Sequence, residues 1–216
     1  MSAAAPTAST PPPTEAAQAA SFAFDAPLTA PARVLRRTAG GAGTELDRLA
    51  VETPVALAYN GASHAVMMAS PADLVDFAFG FSLAEGVVAH GGEIAAVTAA
   101  PRGGGIRLAI TIPATRADAL AVRGRNLAGR TGCGLCGVAE IEAALRPLPP
   151  VAAAPPLPLA AIDRAVAALP AHQRANQASG AVHAAAFADR TGSILAARED
   201  VGRHNALDKL IGALAR

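Results

Sequence analysis

Tryptophan is absent from this 216-residue sequence, tyrosine occurs once, and aromatics make up only 3% of it. Alanine therefore carries much of the 52% apolar fraction. Lysine is nearly missing too: Lys209 stands alone against seventeen arginines, a bias we attribute to coding preference rather than function. Cysteine is limited to Cys133 and Cys136, too few and too close together for a disulfide scaffold. In a cytosolic chain such a pair points to redox, metal or sulfur chemistry.

Charge of one sign is lacking as well. A formal net charge of +1 with no basic run gives no electrostatic reason for a nucleic-acid or anionic-membrane partner. The first basic residue is Arg33, so the start of the chain has no positive region of a secretory signal. The longest uncharged stretch, residues 53–72, is interrupted by Pro54, Asn60, Gly61, His64 and Pro71 and does not read as a membrane span of ~20 apolar residues. The expectation is a soluble, cytoplasmic protein, long enough to bury a core without disulfides.

What is present sorts into segments. Residues 1–30 are Ala, Pro, Ser and Thr without apolar periodicity, which predicts a disordered tail, with the fold starting near Arg33. Alternation over residues 55–59, then Asn60-Gly61, then residues 63–68 predicts a hairpin with a type I′ turn. Ser70-Pro71-Ala72-Asp73 predicts a helix opening with serine as N-cap and proline at its first position. Leu74, Phe77, Ala78 and Phe81 continue it on one core-facing side, and Gly86 stops it. Ile106, Leu108, Ile110 and Ile112 alternate with small or polar residues up to Pro113, the pattern of a half-buried strand.

Further on, Val138, Ile141 and Leu145 suggest a short helix, and six prolines over residues 147–158 an extended connector. Leu159, Ile162, Val166 and Leu169 predict an amphipathic helix. Residues 183–188 and 193–198 predict two strands joined by a turn at 189–192, and a last helix follows Asn205 to Arg216. The sum is a mixed α/β protein of two lobes with a boundary between Pro113 and Gly129: a tail over 1–30, an N-terminal α+β lobe over 31–126 and a C-terminal lobe over 127–216.

The segment Gly129-Arg130-Thr131-Gly132-Cys133-Gly134-Leu135-Cys136-Gly137 carries the sharpest chemical signal. Its four glycines leave both sulfurs open to a large partner, and Arg130 favours thiolate over thiol. A thiolate can attack a donor persulfide and keep its terminal sulfur, and Cys136 is close enough in sequence to shuttle it. Buried inert cysteines, a thioredoxin-like dithiol and structural zinc are the competing readings. Zinc is the weakest, since two thiols are half a tetrahedral ligand set, so no metal is expected.

The second cluster is Glu199-Asp200-Val201-Gly202-Arg203-His204-Asn205-Ala206-Leu207-Asp208-Lys209. Asn205 as N-cap with Asp208 three residues on would explain it as a solvated helix start. Alternatively Arg203, His204 and Asn205 donate to an anionic ligand at that start, with His183 joining them.

These residues resemble the FdhD/NarQ family. The resemblance lies in Asn60-Gly61, Val66-Met67-Met68, Ser70 to Leu74, Gly80-Phe81 with Glu85-Gly86, the Cys133/Cys136 segment, Ser179 to His183 and, above all, Glu199 to Lys209. It implies a sulfurtransferase, a sulfur carrier required for formate dehydrogenase activity. Such a protein takes sulfur from a cysteine desulfurase and passes it to the molybdenum bis-guanine-dinucleotide cofactor, which it handles as substrate and does not hold permanently. Cys133 maps onto the position that bears the persulfide and Cys136 onto the second cysteine. His183, Arg203, His204, Asn205, Asp208 and Lys209 are the cofactor-binding candidates. Its partners are the desulfurase and formate dehydrogenase, with a homodimer as an open assembly state.

The implied fold is an α+β N-terminal lobe and a C-terminal lobe similar to cytidine deaminases. That lobe is incomplete by comparison, because the family continues past the position of Arg216. Deaminase chemistry does not carry over: no histidine is followed by glutamate two residues on, and Gly132 stands where the proline would be. The alternative from another class is a module that binds the cofactor or a guanine nucleotide without moving sulfur.

Overall fold

The computed structural model describes residues 26–124 and 150–216. Most of the expected tail, both cysteines and the helix expected around Val138, Ile141 and Leu145 lie outside the described residues. Regular structure begins before Arg33: β1 (Thr29–Thr38) and β2 (Gly41–Ala50) form an antiparallel hairpin in register from Thr29↔Ala50 to Thr38↔Gly41. The sequence gives little sign of it, because Pro31, adjacent arginines and glycines break the alternation that marks a half-buried strand. The hairpin has no such buried face. Leu35 and Leu46 are each 74% exposed.

The Asn60-Gly61 hairpin forms as its residues dictate. β3 (Thr53–Tyr59) and β4 (Ala62–Ala69) are joined by Asn60 at φ 46° and Gly61 at φ 90°, both in the region a type I′ turn requires. The Asn60 side chain also stands in for a strand. Its Nδ2 donates to the Ile112 carbonyl at 2.9 Å and its Oδ1 accepts from the Ile112 amide at 3.0 Å. β5 (Ala96–Arg102) and β6 (Gly105–Thr111) complete a four-stranded sheet ordered β4-β3-β6-β5, with β3 and β6 parallel and the other pairs antiparallel.

One face of this sheet is covered by α1 (Leu74–Ala84). Val55, Leu57 and Tyr59 from β3 and Ile106, Leu108 and Ile110 from β6 meet Phe77 and Phe81, which the core expectation placed correctly. Gly86, at φ 63°, follows the helix end as expected. The helix start is different. It begins at Leu74 after Asp73, whose φ is 53°, and Ser70 caps nothing. Buried Ser70 turns to a contact 130 residues away, described below, and the chain needs an extra residue in left-handed conformation to enter the helix.

Pro113 leads into α2 (Ala114–Gly124). After an extended stretch, α3 (Leu159–Ala168), a short 3-10 turn, α4 (Arg174–Ser179), β7 (His183–Ala188), β8 (Ile194–Asp200) and α5 (Arg203–Ala215) follow. β7 and β8 are an antiparallel pair, and Asp189 closes their turn by accepting from the Thr191 and Ser193 amides. On α3 the expected apolar stripe points away from the described protein: Leu159, Ile162 and Val166 are exposed. Ala161 is the buried residue, with its backbone against the turn at Gly192, where a Cβ would overlap the Ala161 carbonyl.

α5 lies against α1, its partner from far back in the chain. A side chain at Gly80 would collide with the Asp208 carbonyl, and one at Gly212 with the Asp76 carbonyl. Glycine on both helices thus lets the two backbones touch. Leu210 is buried in this crossing while Leu207 and Leu214 stay about half exposed.

Candidate functional site

The polar cluster at the end of β8 and the start of α5 divides into a buried layer and an exposed one. At the bottom, Lys209 and Asp200 form an ion pair of 2.6 Å with no solvent exposure of either side chain. The carboxylate is fully bonded. Its Oδ2 also accepts from the Ser70 amide at 2.9 Å, and its Oδ1 accepts from the Gly202 amide at 2.8 Å and from Asn205 Nδ2 at 3.1 Å. The Lys209 ammonium donates to the Ser70 carbonyl at 2.9 Å. Asn205 Nδ2 donates to the Met68 carbonyl at 2.8 Å, and Ser70 Oγ accepts from the Val201 amide at 3.1 Å.

This network ties the chain between β4 and α1 to the chain between β8 and α5. Desolvating two charges is costly, and only dense pairing of this kind offsets it. Lys209 and Asn205, expected to touch a ligand, are thus held inside the fold. Asn205 is the third residue of α5 and no N-cap; Gly202 takes that place. Its amide donor is engaged by tertiary contacts, which a reading of local capping alone does not reveal.

Glu199 is buried as well and accepts from the Ala175 and Asn176 amides at 2.9 Å each, which satisfies the start of α4. On the far side Arg198 pairs with the buried Asp76 at 2.8 Å and lies 3.7 Å from Asp73, while Asp76 also pairs with Arg216. These acids were not singled out as contacts from the sequence. For Glu199 the signal was the charge density of the motif, which exceeds what a solvated helix start needs; Asp73 and Asp76 lie outside the motif and carried none.

The exposed layer holds Arg203 and His204 in the first turn of α5, and His183, which the strand register sets opposite Asp200. Arg203 is the cation of this layer. First-turn amides and an exposed guanidinium favour an anion in physical terms. Asp208 is turned instead toward α1, partly buried, and its carboxyl is pushed up to about 7, first by burial and then by the like charge of Glu85. It brings no cation to an anionic ligand. Cys133 and Cys136 lie outside the described residues, so their position relative to this layer is not part of the geometry. Among the described residues no group of three or more His, Cys, Asp or Glu could hold a metal ion. No helix among them is long and apolar enough to cross a membrane.

Three comparisons place this architecture among known proteins. The FdhD/NarQ family model matches residues 50–216. A sulfur carrier protein FdhD of Bordetella petrii is 52% identical over 189 residues, covering 87% of this chain and 68% of that protein. A protein of the same name from Xanthomonas euvesicatoria is 51% identical over 185 residues, covering 85% and 66%. The chain therefore spans about two thirds of the length of these curated relatives. The crystal structure of a formate dehydrogenase accessory protein from Desulfotalea psychrophila superposes with a TM-score of 0.66 at 24% identity, over 88% of this chain and 70% of that one. At that identity the likeness supports the mixed α/β fold alone. On the family match across the whole length from residue 50 and the relatives at about half identity, this chain belongs to the FdhD/NarQ family.

Proposed function

We propose that the protein is a cytoplasmic sulfur carrier that serves formate dehydrogenase maturation. In this reading Cys133 accepts sulfur from a cysteine desulfurase as a persulfide. It then passes the terminal sulfur to the molybdenum bis-guanine-dinucleotide cofactor, which is cargo, before the cofactor reaches formate dehydrogenase. The observation that carries the reading is the glycine-flanked Cys133/Cys136 pair in a chain about half identical to proteins named sulfur carriers. Flanking glycines suit a thiolate that must meet first a protein donor and then a bulky acceptor.

Persulfide formation needs no outside oxidant. The Cys133 thiolate attacks the terminal sulfur of the donor's persulfide, a new S–S bond forms, and the donor leaves as thiolate and takes up a proton. In the next step the Cys136 thiolate can attack the Cys133 sulfur: a Cys133–Cys136 disulfide forms, the terminal sulfur leaves as hydrosulfide to the acceptor, and a cellular dithiol reduces the disulfide before the next cycle. Arg203, His204 and His183 form the exposed face proposed to meet phosphate oxygens of the cofactor, with Asn205 and Lys209 acting from beneath by fixing the start of α5. Asp208 is withdrawn from that role by its orientation toward Glu85.

Incubation with a cysteine desulfurase and cysteine, followed by intact-mass measurement, tests the reading. The chain should gain the mass of one sulfur atom, removable by reductant, and Cys133→Ala should gain none. Full formate dehydrogenase activity in cells that carry only the alanine variant would sink the carrier reading in favour of a binding module that moves no sulfur.

A further inference from the structure

The register of the β1–β2 hairpin sorts its side chains into two unlike faces. Side chains alternate across a strand, so Ala32, Val34 and Arg36 share one face with their partners Asp47, Glu45 and Gly43. That face holds both acids of the hairpin, and Arg36 engages the two of them. Ala32, Val34 and Asp47 on it are half-buried. The opposite face sets Arg33, Leu35 and Arg37 of β1 against Leu46, Thr44 and Ala42 of β2, and all six are exposed. It carries no carboxylate.

At the root of this second face the chain satisfies itself. Thr29 is buried, and Arg48 donates to its hydroxyl at 2.7 and 3.0 Å. Further out it does not. Arg33 and Arg37 make no hydrogen bond or ion pair among the described residues. Leu35 and Leu46, each 74% exposed, are diagonal neighbours in the register and form one apolar centre. One guanidinium precedes Leu35 on its side of the strand and another follows it, so the centre is flanked by cations.

Two leucines between arginines, without an acid or an aromatic, suit one kind of partner. A nucleic acid would engage the arginines and leave the leucines in water, and its bases would find none of the stacking rings such sites use. A lipid interface favours aromatic anchors and a longer apolar stripe. A protein surface with carboxylates around an apolar patch covers the leucines and gives each guanidinium a two-pronged partner.

We propose that this face of the β1–β2 hairpin is a docking surface for an acidic protein partner that sets carboxylates around an apolar centre. The partner's identity as the cysteine desulfurase rests on the sulfur-carrier reading. In that reading the start of α5 is given to the cofactor, and a donor met once per cycle gains from electrostatic steering to a separate face.

The test is binding of the full chain to an immobilised cysteine desulfurase without cysteine, so that no sulfur moves. Wild-type affinity should fall about tenfold between about 50 and about 300 mM NaCl. Arg33→Glu combined with Arg37→Glu should weaken binding at least about tenfold at the lower salt and remove most of the salt dependence. Leu35→Ser combined with Leu46→Ser should weaken it at least about fivefold at both salts. These side chains are exposed, so both variants should unfold close to the wild-type temperature. The control is Arg102→Glu, a charge reversal on an exposed arginine of β5, which should bind within about twofold of wild type. Wild-type affinity in both hairpin variants overturns the proposal, as does no wild-type binding at about 100 μM. An equal loss in Arg102→Glu would reduce the effect to net charge and overturn it too. So would a DNA duplex or phosphatidylglycerol vesicles binding as tightly as the desulfurase and losing affinity in the same variants. Persulfide loading, measured separately with cysteine present, keeps the two readings apart. Wild type that docks through this face yet gains no sulfur would sink the carrier reading and leave the surface. Full loading with docking unchanged in both hairpin variants would do the reverse.

Discussion

Lys209 is the one lysine of the chain, and among the described residues it is the one cation with no exposure at all. A compact ammonium can sit between Asp200 and the Ser70 carbonyl, where the wider guanidinium that the chain uses everywhere else would need room for five donors. Lys209→Met should therefore destabilise the protein by about 3–5 kcal/mol in denaturant titration, because Asp200 stays behind as a buried, uncompensated charge. Lys209→Arg should not restore stability. Pairing Lys209→Met with Asp200→Asn should cost less than the sum of the two single changes, and strict additivity would deny the coupling.

Asp208 gives a residue-scale prediction of a different sign. Its carboxyl is raised from 3.8 to about 7 by burial and by Glu85, so the folded state holds the proton more tightly than the unfolded chain does. Its contribution is fully present below about pH 4, shrinks as pH rises, and is gone above pH 7. Asp208→Asn should flatten the stability profile between pH 4 and 7 and leave the variant more stable at pH 8, by a few kcal/mol at most. An unchanged slope would mean that Asp208 titrates normally in the fold.

At the scale of elements, two helices respond to substitution in opposite ways from what their sequences suggest. Gly80 lies inside α1, where alanine is the better helix former by about 1 kcal/mol. Yet Gly80→Ala should destabilise the protein by about 2 kcal/mol or more, because its methyl group meets the Asp208 backbone and the helices must part. Conversely, Ile162→Ser on α3 looks like a core loss and should change stability by less than about 0.5 kcal/mol, since Ile162 is exposed. Ala161→Leu, one residue away in sequence but at a buried position, should be the damaging change there. Thermal unfolding of the three variants decides each case.

Across the whole molecule, the crossing of α1 and α5 and the Asp200–Lys209–Ser70 network join segments more than 120 residues apart. Amide hydrogen exchange should show α5 protected to nearly the same degree as α1, since opening one exposes the other. The β1–β2 hairpin, exposed along most of its length, should exchange orders of magnitude faster. Fast exchange throughout α5 with α1 still protected would show that the network does not couple them.

Much of the fold was legible wherever local chemistry decides. Asn60-Gly61 dictates its turn, Phe77 and Phe81 their face of α1, Ile106 to Ile110 their strand, and Asp189 to Gly192 the turn between β7 and β8. The long Glu199 to Lys209 motif also announced that something specific happens there. What the motif does was decided only in three dimensions. Ser70 reads as a helix cap and Asn205 as another, because a side chain's nearest backbone amides are the local ones. In the folded chain both have stronger partners from the opposite end, and the helices begin elsewhere. Capping and turn chemistry depend on neighbours in sequence, so the sequence determines them. Burial of a charge depends on which distant segments close around it, and that is a property of the tertiary structure alone.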